Sequence, residues 1–448
     1  MDIKNLLNTK KILKSSPTKV EDLFEVWGEE SMESKKKKSL KNSDLSLLMY
    51  WDENDKEKTI EAVNDMFIKA LSKKASDIHI EPREKILRVR FRVDGYFIPY
   101  KEFPILQKEA LIARIKIMSY LRIDEHRQPQ DGKINYKMFG WKSIDMRVSV
   151  IPTIYWEKCV IRLLKKDEKP PELSSLWIMP YNMVRIKKHL KDNHGMILAV
   201  GPTGSGKSTT LFAMLSQFDA TEKNISTLED PVEYRIKGVN HTQIQPIIDF
   251  TFAKWLRSLL RQDPDIIMVW EIRDEETAKL AIEASITWHI VFSTLHTNSA
   301  VHTIQRLINL WVDPLLISSS LRSIISQRLA RKLCVHCKQS YDPNPKIETY
   351  IFWEVGKYIK KQKSLQLYKA KEWGCLKCSN IWYSWRIGLY EVLEMTDALE
   401  KLMLNNASRT QLEIQAVWDW MVPIKEDALL KVVLGETSLE EILSVLGH

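Results

Sequence analysis

Glycine is scarce in this chain of 448 residues, whereas tryptophan is unusually frequent. Glycine averages about 7% of residues, or about 31 in a chain of this length. The sequence has 14 glycines and 15 tryptophans, and together they nearly make up that expected glycine complement. Unless this is a coincidence, some tryptophans occupy positions that suit glycine.

Long apolar runs are also missing. No stretch approaches the roughly 20 apolar residues that a membrane-spanning helix needs. The first residues, MDIKNLLNTKKILKSS, lack the uninterrupted apolar segment and the cleavage site of a signal peptide. We therefore expect a cytoplasmic protein, and the chain length predicts two to four domains with substantial cores.

Acidic residues are fewer than basic ones, which gives a net charge of +9 and an isoelectric point near 9.0. Such a charge suits an acidic partner. However, the run Lys35–Lys38 and other scattered lysines explain the excess equally well. Charge alone therefore leaves nucleic acid binding open.

Composition and periodicity divide the chain. Residues 1–57 form a variable basic segment, either a docking helix or a frayed tail. Residues 58–166 begin with a helical pattern and continue with period-two strands, which predicts an α+β domain. Charges and paired prolines indicate a linker at 167–173.

Strands alternate with helices from 174 to 330, which predicts an α/β core with a mostly parallel sheet covered on both faces. The predicted strands are 196–200, 225–229, 266–269 and 289–295. The predicted helices begin after Lys207, near 251 and at Glu275. Residues 331–390 are rich in Cys, Lys and Tyr, and residues 391–448 are predicted to be helical.

The strongest motif is GPTGSGKST, which matches the phosphate-loop pattern between a predicted strand and a predicted helix. In such loops glycine N–H groups surround phosphate oxygens, the lysine reaches the outer phosphates and the hydroxyl after it coordinates magnesium. The sequence therefore predicts a site for a nucleotide with Mg²⁺. Its residues are Gly201, Pro202, Thr203, Gly204, Ser205, Gly206, Lys207, Ser208 and Thr209.

Acidic residues follow two of the predicted strands. Glu229 opens EDPVE, and Glu271 ends the strand at 266–269. The two carboxylates could hold magnesium and orient a water. The alternative for EDPVE is a solvated turn. Which of the two carboxylates is the general base stays undecided. His296, in STLHTN, either satisfies a buried hydrogen bond or senses the outer phosphate.

Arginines are plentiful around these motifs, with Arg257, Arg261 and Arg273 in the core and Arg127 and Arg147 in the preceding domain. Guanidinium groups suit phosphate oxygens, and an arginine from another domain or subunit would make hydrolysis depend on closure. For any single arginine, a surface salt bridge is the alternative.

Four of the five cysteines form two C-x-x-C pairs, Cys334 with Cys337 and Cys375 with Cys378. Four thiolates suit a tetrahedral, structural Zn²⁺ with no open position, although the spacing between the pairs is longer than in compact fingers. Cys159 is then left as a buried thiol.

Together, GPTGSGKST, EDPVEY, LRSLLRQDPDIIMVWEIRD, STLHTN and the four cysteines resemble the secretion ATPase superfamily, in its type IV pilus assembly and type II secretion branch. The segments ASDIHIEP, RVDG, PQDGK and DMRVSVIPT resemble the second N-terminal domain of that family. The resemblance covers roughly residues 58–446.

This resemblance implies a RecA-like P-loop core after a PAS-like α+β domain, in a homo-hexamer that binds ATP and Mg²⁺. It implies a motor that drives assembly of a type IV pilus or a type II secretion pseudopilus through an inner-membrane platform protein. The motor would be cytoplasmic, peripheral at the inner face of the cytoplasmic membrane through its partners, and without stable nucleic acid binding.

The resemblance also assigns roles to individual residues. Lys207 and Ser208 contact phosphate and magnesium, Glu229 belongs to the acidic box, and Arg127 and Arg147 reach the nucleotide. Glu271 is the glutamate at the strand end. The alternatives are a retraction motor, which typically lacks the cysteines, a nucleic acid translocase with the same core, and a non-hydrolysing scaffold. The short first segment departs from the family and leaves the mode of membrane docking open.

The family pattern places glycine at ten of the tryptophans. Glycine there supplies a positive φ angle or room for close backbone approach, which an indole provides only with strain. We therefore hypothesise that the gene encodes glycine by UGA at these positions; real tryptophans with compensating changes are the alternative. The ten are Trp141, Trp156, Trp177, Trp255, Trp270, Trp288, Trp311, Trp382, Trp385 and Trp420. Undecided are Trp27, Trp51, Trp353, Trp373 and Trp418.

Overall fold

The computed structural model describes residues 56–93, 95–137, 143–164, 169–244, 251–359, 365–371, 374–378 and 381–447. Nearly all of the predicted basic segment, part of the predicted linker and Trp27, Trp51, Trp141 and Trp373 lie outside these ranges. The chain divides into two compact units, with the boundary between residues 165 and 166.

The first unit is an antiparallel sheet with helices. Its elements are α1 (Lys56–Ser72), β1 (Asp77–Pro82), β2 (Ile86–Val93), β3 (Tyr96–Pro104), α2 (Lys108–Met118), β4 (Gln130–Lys137), β5 (Ser143–Thr153) and β6 (Trp156–Leu164). The strand order is β3-β2-β1-β6-β5-β4. Leu87, Val89 and Phe91 alternate with polar residues along β2 and pack with Phe67 of α1 in one core. The predicted α+β domain is confirmed.

The second unit contains a seven-stranded sheet. Its elements up to the sheet's long strand are α3 (Pro180–His189), β7 (Gly195–Val200), α4 (Lys207–Leu215), β8 (Ile225–Glu229), β9 (Asn240–Gln243), α5 (Phe252–Leu259), β10 (Ile266–Val269), α6 (Glu275–Ile286), β11 (Ile290–Leu295), α7 (Ala300–Asn309), α8 (Pro314–Ser320) and β12 (Leu321–Leu333). The remaining elements are β13 (Gln339–Tyr341), α9 (Pro345–Val355), β14 (Leu367–Lys369), β15 (Tyr383–Glu394), α10 (Asp397–Leu404), α11 (Arg409–Trp418), α12 (Ile424–Val433) and α13 (Leu439–Leu446).

The order of the large sheet is β15-β12-β7-β11-β10-β8-β9. Every neighbouring pair from β12 to β9 is parallel. Along β7, Met196 and Leu198 enter one apolar cluster whereas Ile197 and Ala199 enter another. Since successive residues of a strand point to opposite faces, the sheet is covered on both faces, and the predicted mostly parallel α/β core is confirmed.

β15 adds an antiparallel edge to this sheet. It pairs with β12 over most of its length, with Ser323 opposite Glu394 and Arg331 opposite Arg386. The domain boundary predicted at residue 390 therefore falls inside a strand of the core sheet. An antiparallel edge strand is common in sheets that are otherwise parallel.

Several tryptophans have backbone angles that favour glycine. Six have φ between 58° and 71°, in the left-handed region where a side chain is strained. These six are Trp177, Trp288, Trp311, Trp382, Trp385 and Trp420. All six are among the ten positions at which the sequence predicts glycine.

The other described tryptophans differ from these six. Trp156 also has a positive φ, of 156°, a value that favours glycine, whereas Trp255 and Trp270 have no positive φ. Trp353 lies in α9 and Trp418 in α11, so these two undecided tryptophans are helical. Among the described tryptophans, positive φ angles therefore occur only where the resemblance predicts glycine.

None of the helices in the described part of the chain is both long and apolar enough to cross a membrane.

Candidate active site

The sequence GPTGSGKST forms the turn between β7 and α4. Gly204 and Gly206 have φ angles of 78° and 86°. A residue with a side chain would be strained in this backbone conformation. Gly206 is the N-cap of α4, which begins at Lys207. The turn therefore places a helix N-terminus, which favours anions such as phosphate, at the end of a buried strand.

Two side chains hold this turn in shape. Lys207 Nζ donates to the carbonyl oxygens of Gly201 at 2.8 Å and Pro202 at 3.1 Å. Burial lowers the pKa of Lys207, and the Glu271 carboxylate opposes that shift. From β12, Gln327 Nε2 donates to the Ser205 carbonyl at 2.5 Å. The loop is thus supported from its own helix and from a neighbouring strand.

Glu229 ends β8 and is fully buried. Its Oε1 accepts from the Thr227 hydroxyl at 2.6 Å and lies 2.8 Å from His241 Nδ1. Its Oε2 accepts from the Glu233 backbone N–H at 3.3 Å. A buried carboxylate needs such donors, so Glu229 belongs to an internal hydrogen-bonded network, whereas Asp230 is half-buried and Glu233 is exposed.

Glu271 follows β10 and keeps a small exposed fraction. Arg273 contacts its Oε2 through Nε and Nη2, both at 2.8 Å, and this hydrogen bonding raises the pKa of Arg273. His296 Nε2 lies 3.2 Å from Glu271 Oε1. The structure therefore brings together three predicted residues, Glu271, Arg273 and His296, and of these the Glu271 carboxylate acts electrostatically on Lys207 of the phosphate loop.

Trp270 separates β10 from Glu271. Its backbone N–H donates to the Leu228 carbonyl at 2.8 Å, and its carbonyl accepts from the Thr294 hydroxyl. Its ring packs on the apolar cluster that contains Met268. The backbone is thus fixed between β8 and β11, and the indole belongs to the apolar packing on one face of the sheet.

The other predicted arginines have local partners. Arg257 pairs with Glu276 at 2.7 Å, and Arg261 donates to the Arg257 carbonyl at 3.0 Å. In the first unit, the Arg127 side chain is 90% exposed, and Arg147 lines a cavity of about 440 Å³ together with other charged residues. The nucleotide contacts of Arg127 and Arg147 remain predictions.

The four cysteines of the two C-x-x-C pairs converge. Their sulfur atoms lie within 4.8 Å of one another, with Cys334 to Cys375 and Cys337 to Cys378 both at 3.8 Å. Zinc–sulfur bonds of about 2.3 Å require sulfur separations of about 3.8 Å in a tetrahedron. The cluster therefore fits a structural Zn²⁺.

A family model of type II/IV secretion system proteins matches residues 52–444. This chain belongs to that family. It is 42% identical over 384 residues to the type IV pilus assembly ATPase PilB of Myxococcus xanthus, covering 86% of this chain and 67% of that protein. It is 44% identical over 386 residues to the type II secretion system ATPase E of Vibrio cholerae, covering 86% and 75%.

The fold agrees with this assignment. The Legionella pneumophila ATPase DotB matches with a TM-score of 0.62 at 20% identity, covering 85% of this chain and 94% of DotB. At this identity the likeness shows the fold alone.

Three residues beside the site are not among those predicted from the sequence. His241 in β9 contacts Glu229, Gln327 supports the phosphate loop, and Arg328 Nη2 donates to the Asn298 carbonyl at 3.1 Å. Asn298 belongs to the predicted STLHTN motif. His241 lies in β9 and the other two lie in β12, and neither strand is among those predicted from the sequence, so no sequence signal marked these residues.

Proposed function

We propose that this chain is a hexameric ATPase that hydrolyses ATP to drive assembly of a type IV pilus or a type II secretion pseudopilus. The observation that carries the proposal is the phosphate loop at the end of β7, with Glu271, Arg273 and His296 grouped after β10 and β11 and with the Glu271 carboxylate acting on Lys207. Relatives named as pilus assembly and type II secretion ATPases support it.

The loop residues would hold the phosphates of ATP. Glycine N–H groups and Lys207 bind the phosphate oxygens, and Ser208 and Thr209 lie in the first turn of α4, where hydroxyls reach the same ligand. Bound Mg²⁺, held through Ser208, would neutralise charge on the phosphates. Arg127 and Arg147 are proposed to stabilise the charge that develops as the γ-phosphate is transferred to water.

Of the two carboxylates, we assign Glu271 to the attacking water. The Glu229 oxygens are committed to Thr227, His241 and Glu233, and the residue is fully buried. The Glu271 side chain is 11% exposed, and its partners Arg273 and His296 are more exposed, at 58% and 47%. A general base must reach the water whose proton it takes, which favours Glu271.

The oligomeric state, the partner and the location are proposed from the family rather than from the fold. We propose that six copies form a ring, that an inner-membrane platform protein is the partner, and that the protein works in the cytoplasm at the inner face of the membrane. Zn²⁺ at the four cysteines would be structural, since four thiolates leave no open position.

Magnesium-dependent ATP hydrolysis tests the proposal. It should be measured for the chain with tryptophan at the ten positions and for a chain with glycine at those positions. Lys207→Ala should lower kcat/KM by about 100-fold or more, since it removes a charge that stabilises the transferred phosphoryl group. Lys223→Ala, an exposed lysine of the same unit that pairs with Asp265, should leave hydrolysis unchanged. Absence of hydrolysis in both parent chains, each bound to zinc and assembled, would contradict the proposal.

A further inference from the structure

The imidazole ring of His241, in β9, contacts the buried carboxylate of Glu229 at the end of the neighbouring strand β8. β9 pairs in parallel with β8, with His241 opposite Thr227 and Gln243 opposite Glu229. His241 Nδ1 lies 2.8 Å from Glu229 Oε1 and 3.0 Å from Thr227 Oγ1. The His241 side chain is only 11% exposed, so these contacts are shielded from water.

The other ring nitrogen settles the position of the proton. The Ile236 backbone N–H donates to His241 Nε2 at 3.1 Å. A backbone N–H can only donate, so Nε2 must be the accepting nitrogen of a neutral imidazole. The ring proton is therefore on Nδ1, and Nδ1 donates toward Glu229 Oε1 and Thr227 Oγ1.

This arrangement makes the two oxygens of Glu229 unequal. Oε1 accepts from the Thr227 hydroxyl and from His241. Oε2 has the longer bond, 3.3 Å to the Glu233 N–H. Two short donors on one oxygen resist rotation of the carboxylate, so Oε2 keeps one direction at the carboxyl end of β8, where ligands of parallel sheets bind.

We propose that His241 is a positioning residue for ATP hydrolysis, which acts through Glu229 by holding its Oε1, so that Oε2, which has only the longer bond to the Glu233 N–H, is the oxygen left to act at the nucleotide site. The inference rests on the proposed ATPase function. His241 itself would contact neither nucleotide nor magnesium, because its two nitrogens are engaged by Glu229, Thr227 and Ile236.

Two substitutions of His241 distinguish the effect of its ring shape from the effect of its hydrogen bonds. His241→Phe keeps an aromatic ring beside Phe212, whose ring centroid is 6.2 Å away, but removes the hydrogen bonds of both ring nitrogens. His241→Gln keeps a donor and an acceptor on a flexible chain. We expect His241→Phe to lower kcat for ATP about 10- to 100-fold, the range found for groups that orient a ligand through another residue. His241→Gln should recover to within about threefold of the parent.

KM for ATP and the affinity for a fluorescent ATP analogue should stay within about twofold in both variants, because Glu229 and not the phosphate loop is disturbed. A purely structural role would instead lower the thermal midpoint and weaken nucleotide binding along with kcat. His302→Phe, the same change on α7, is the matched control and should resemble the parent.

A double-variant cycle keeps the test decisive. In a chain that carries Glu229→Gln, the further change His241→Phe should leave kcat unchanged, since the group that His241 positions is already altered. Parent-like kcat in His241→Phe, or independent and multiplicative losses in the double variant, would overturn the inference. Failure of the parent to hydrolyse ATP would instead count against the proposed function.

Discussion

The six left-handed tryptophans can be tested residue by residue. A side chain in this region costs about 1 kcal/mol at each position, which glycine avoids. We predict that Trp288→Gly and Trp311→Gly each raise the free energy of unfolding by about 1 kcal/mol, measured by denaturant titration. Both indoles are largely exposed, so little packing is lost with them.

The helical tryptophans provide the matched control. Trp353 and Trp418 are equally exposed but lie in α9 and α11. Glycine in a helix is unfavourable, so Trp353→Gly and Trp418→Gly should lower the free energy of unfolding by about 0.5 to 1 kcal/mol. The codons give an independent reading: any triplet other than UGA at Trp288 and Trp311 would refute the recoding hypothesis, whatever the stabilities are.

The site residues that belong to contiguous sequence motifs could be predicted from the sequence. Lys207, Glu229 and the four cysteines are found where GPTGSGKST, EDPVE and the C-x-x-C pairs predict them. His241 was missed because its role depends on the pairing of β9 with β8. A short strand such as NHTQ carries no periodic signal of its own.

At the scale of elements, a buried ion pair links α2 to β6 in the first unit. Lys116 Nζ lies 2.6 Å from Glu157 Oε1, both side chains are at most 2% exposed, and Lys116 also donates to the Glu125 carbonyl at 2.7 Å. His126 Nδ1 lies 2.8 Å from Glu157 Oε2. The pair therefore fixes the segment before β4 that carries Arg127.

Removing one partner should be costly. Lys116→Met leaves Glu157 buried without its main counter-charge, and we expect a loss of about 3 kcal/mol in the free energy of unfolding. Lys69→Met, at an exposed position of α1, should change it by less than about 0.5 kcal/mol. The double variant Lys116→Met with Glu157→Leu should recover much of the loss. Equal effects of Lys69→Met and Lys116→Met would show that the pair contributes nothing to stability.

A second ionic contact joins α3 to the end of β15 and predicts a dependence on pH. The hydrogen bond from His189, together with Lys188 and Arg185, lowers the pKa of Glu394 from 4.5 to about 2. Because the folded pKa is depressed, the stabilisation is complete above about pH 4.5 and is lost as pH falls toward 2. After allowance for solvent screening by its exposed partner Lys188, this stabilisation amounts to about 1 to 2 kcal/mol.

Glu394→Gln should therefore destabilise the protein by that amount at pH 7 and by much less near pH 2.5. The measurement is the difference between the free energies of unfolding of parent and variant across this range. Glu413→Gln, in the exposed pair with Arg409 on α11, is a control with a smaller expected effect. A difference that grows on acidification would contradict the assigned contact.

For the whole molecule, alternating strands and helices were sufficient to predict the parallel core, because each strand is short, apolar and bounded by polar turns. The position of β15 was not predictable in the same way. Its residues Tyr383–Glu394 return to β12 after the intervening cysteine-rich segment. Sequence periodicity records which residues are buried but not which distant strand they pair with.

The cysteine cluster lies at the end of those two outer strands, which gives zinc a consequence for the whole molecule. Cys334 directly follows β12, its N–H donates to the Trp382 carbonyl at 3.1 Å, and Cys378 precedes β15. β12 also carries Gln327, which supports the phosphate loop. A metal at the four sulfurs would therefore clamp the strand pair whose middle holds the loop in place.

We predict about one zinc per chain by elemental analysis, reduced to a small fraction in Cys337→Ser, because three thiolates bind zinc far more weakly than four. The rate of hydrogen exchange in β15 should then rise and ATP hydrolysis should fall, because the metal no longer holds the ends of β12 and β15 together. Cys159→Ala is the control, because Cys159 lies in the apolar core of the first unit and belongs to no group of described residues that could hold a metal. Full zinc content with unchanged exchange in Cys337→Ser would show that the cluster is not a metal clamp, and the order of β12 and β15 would then have to come from their pairing alone.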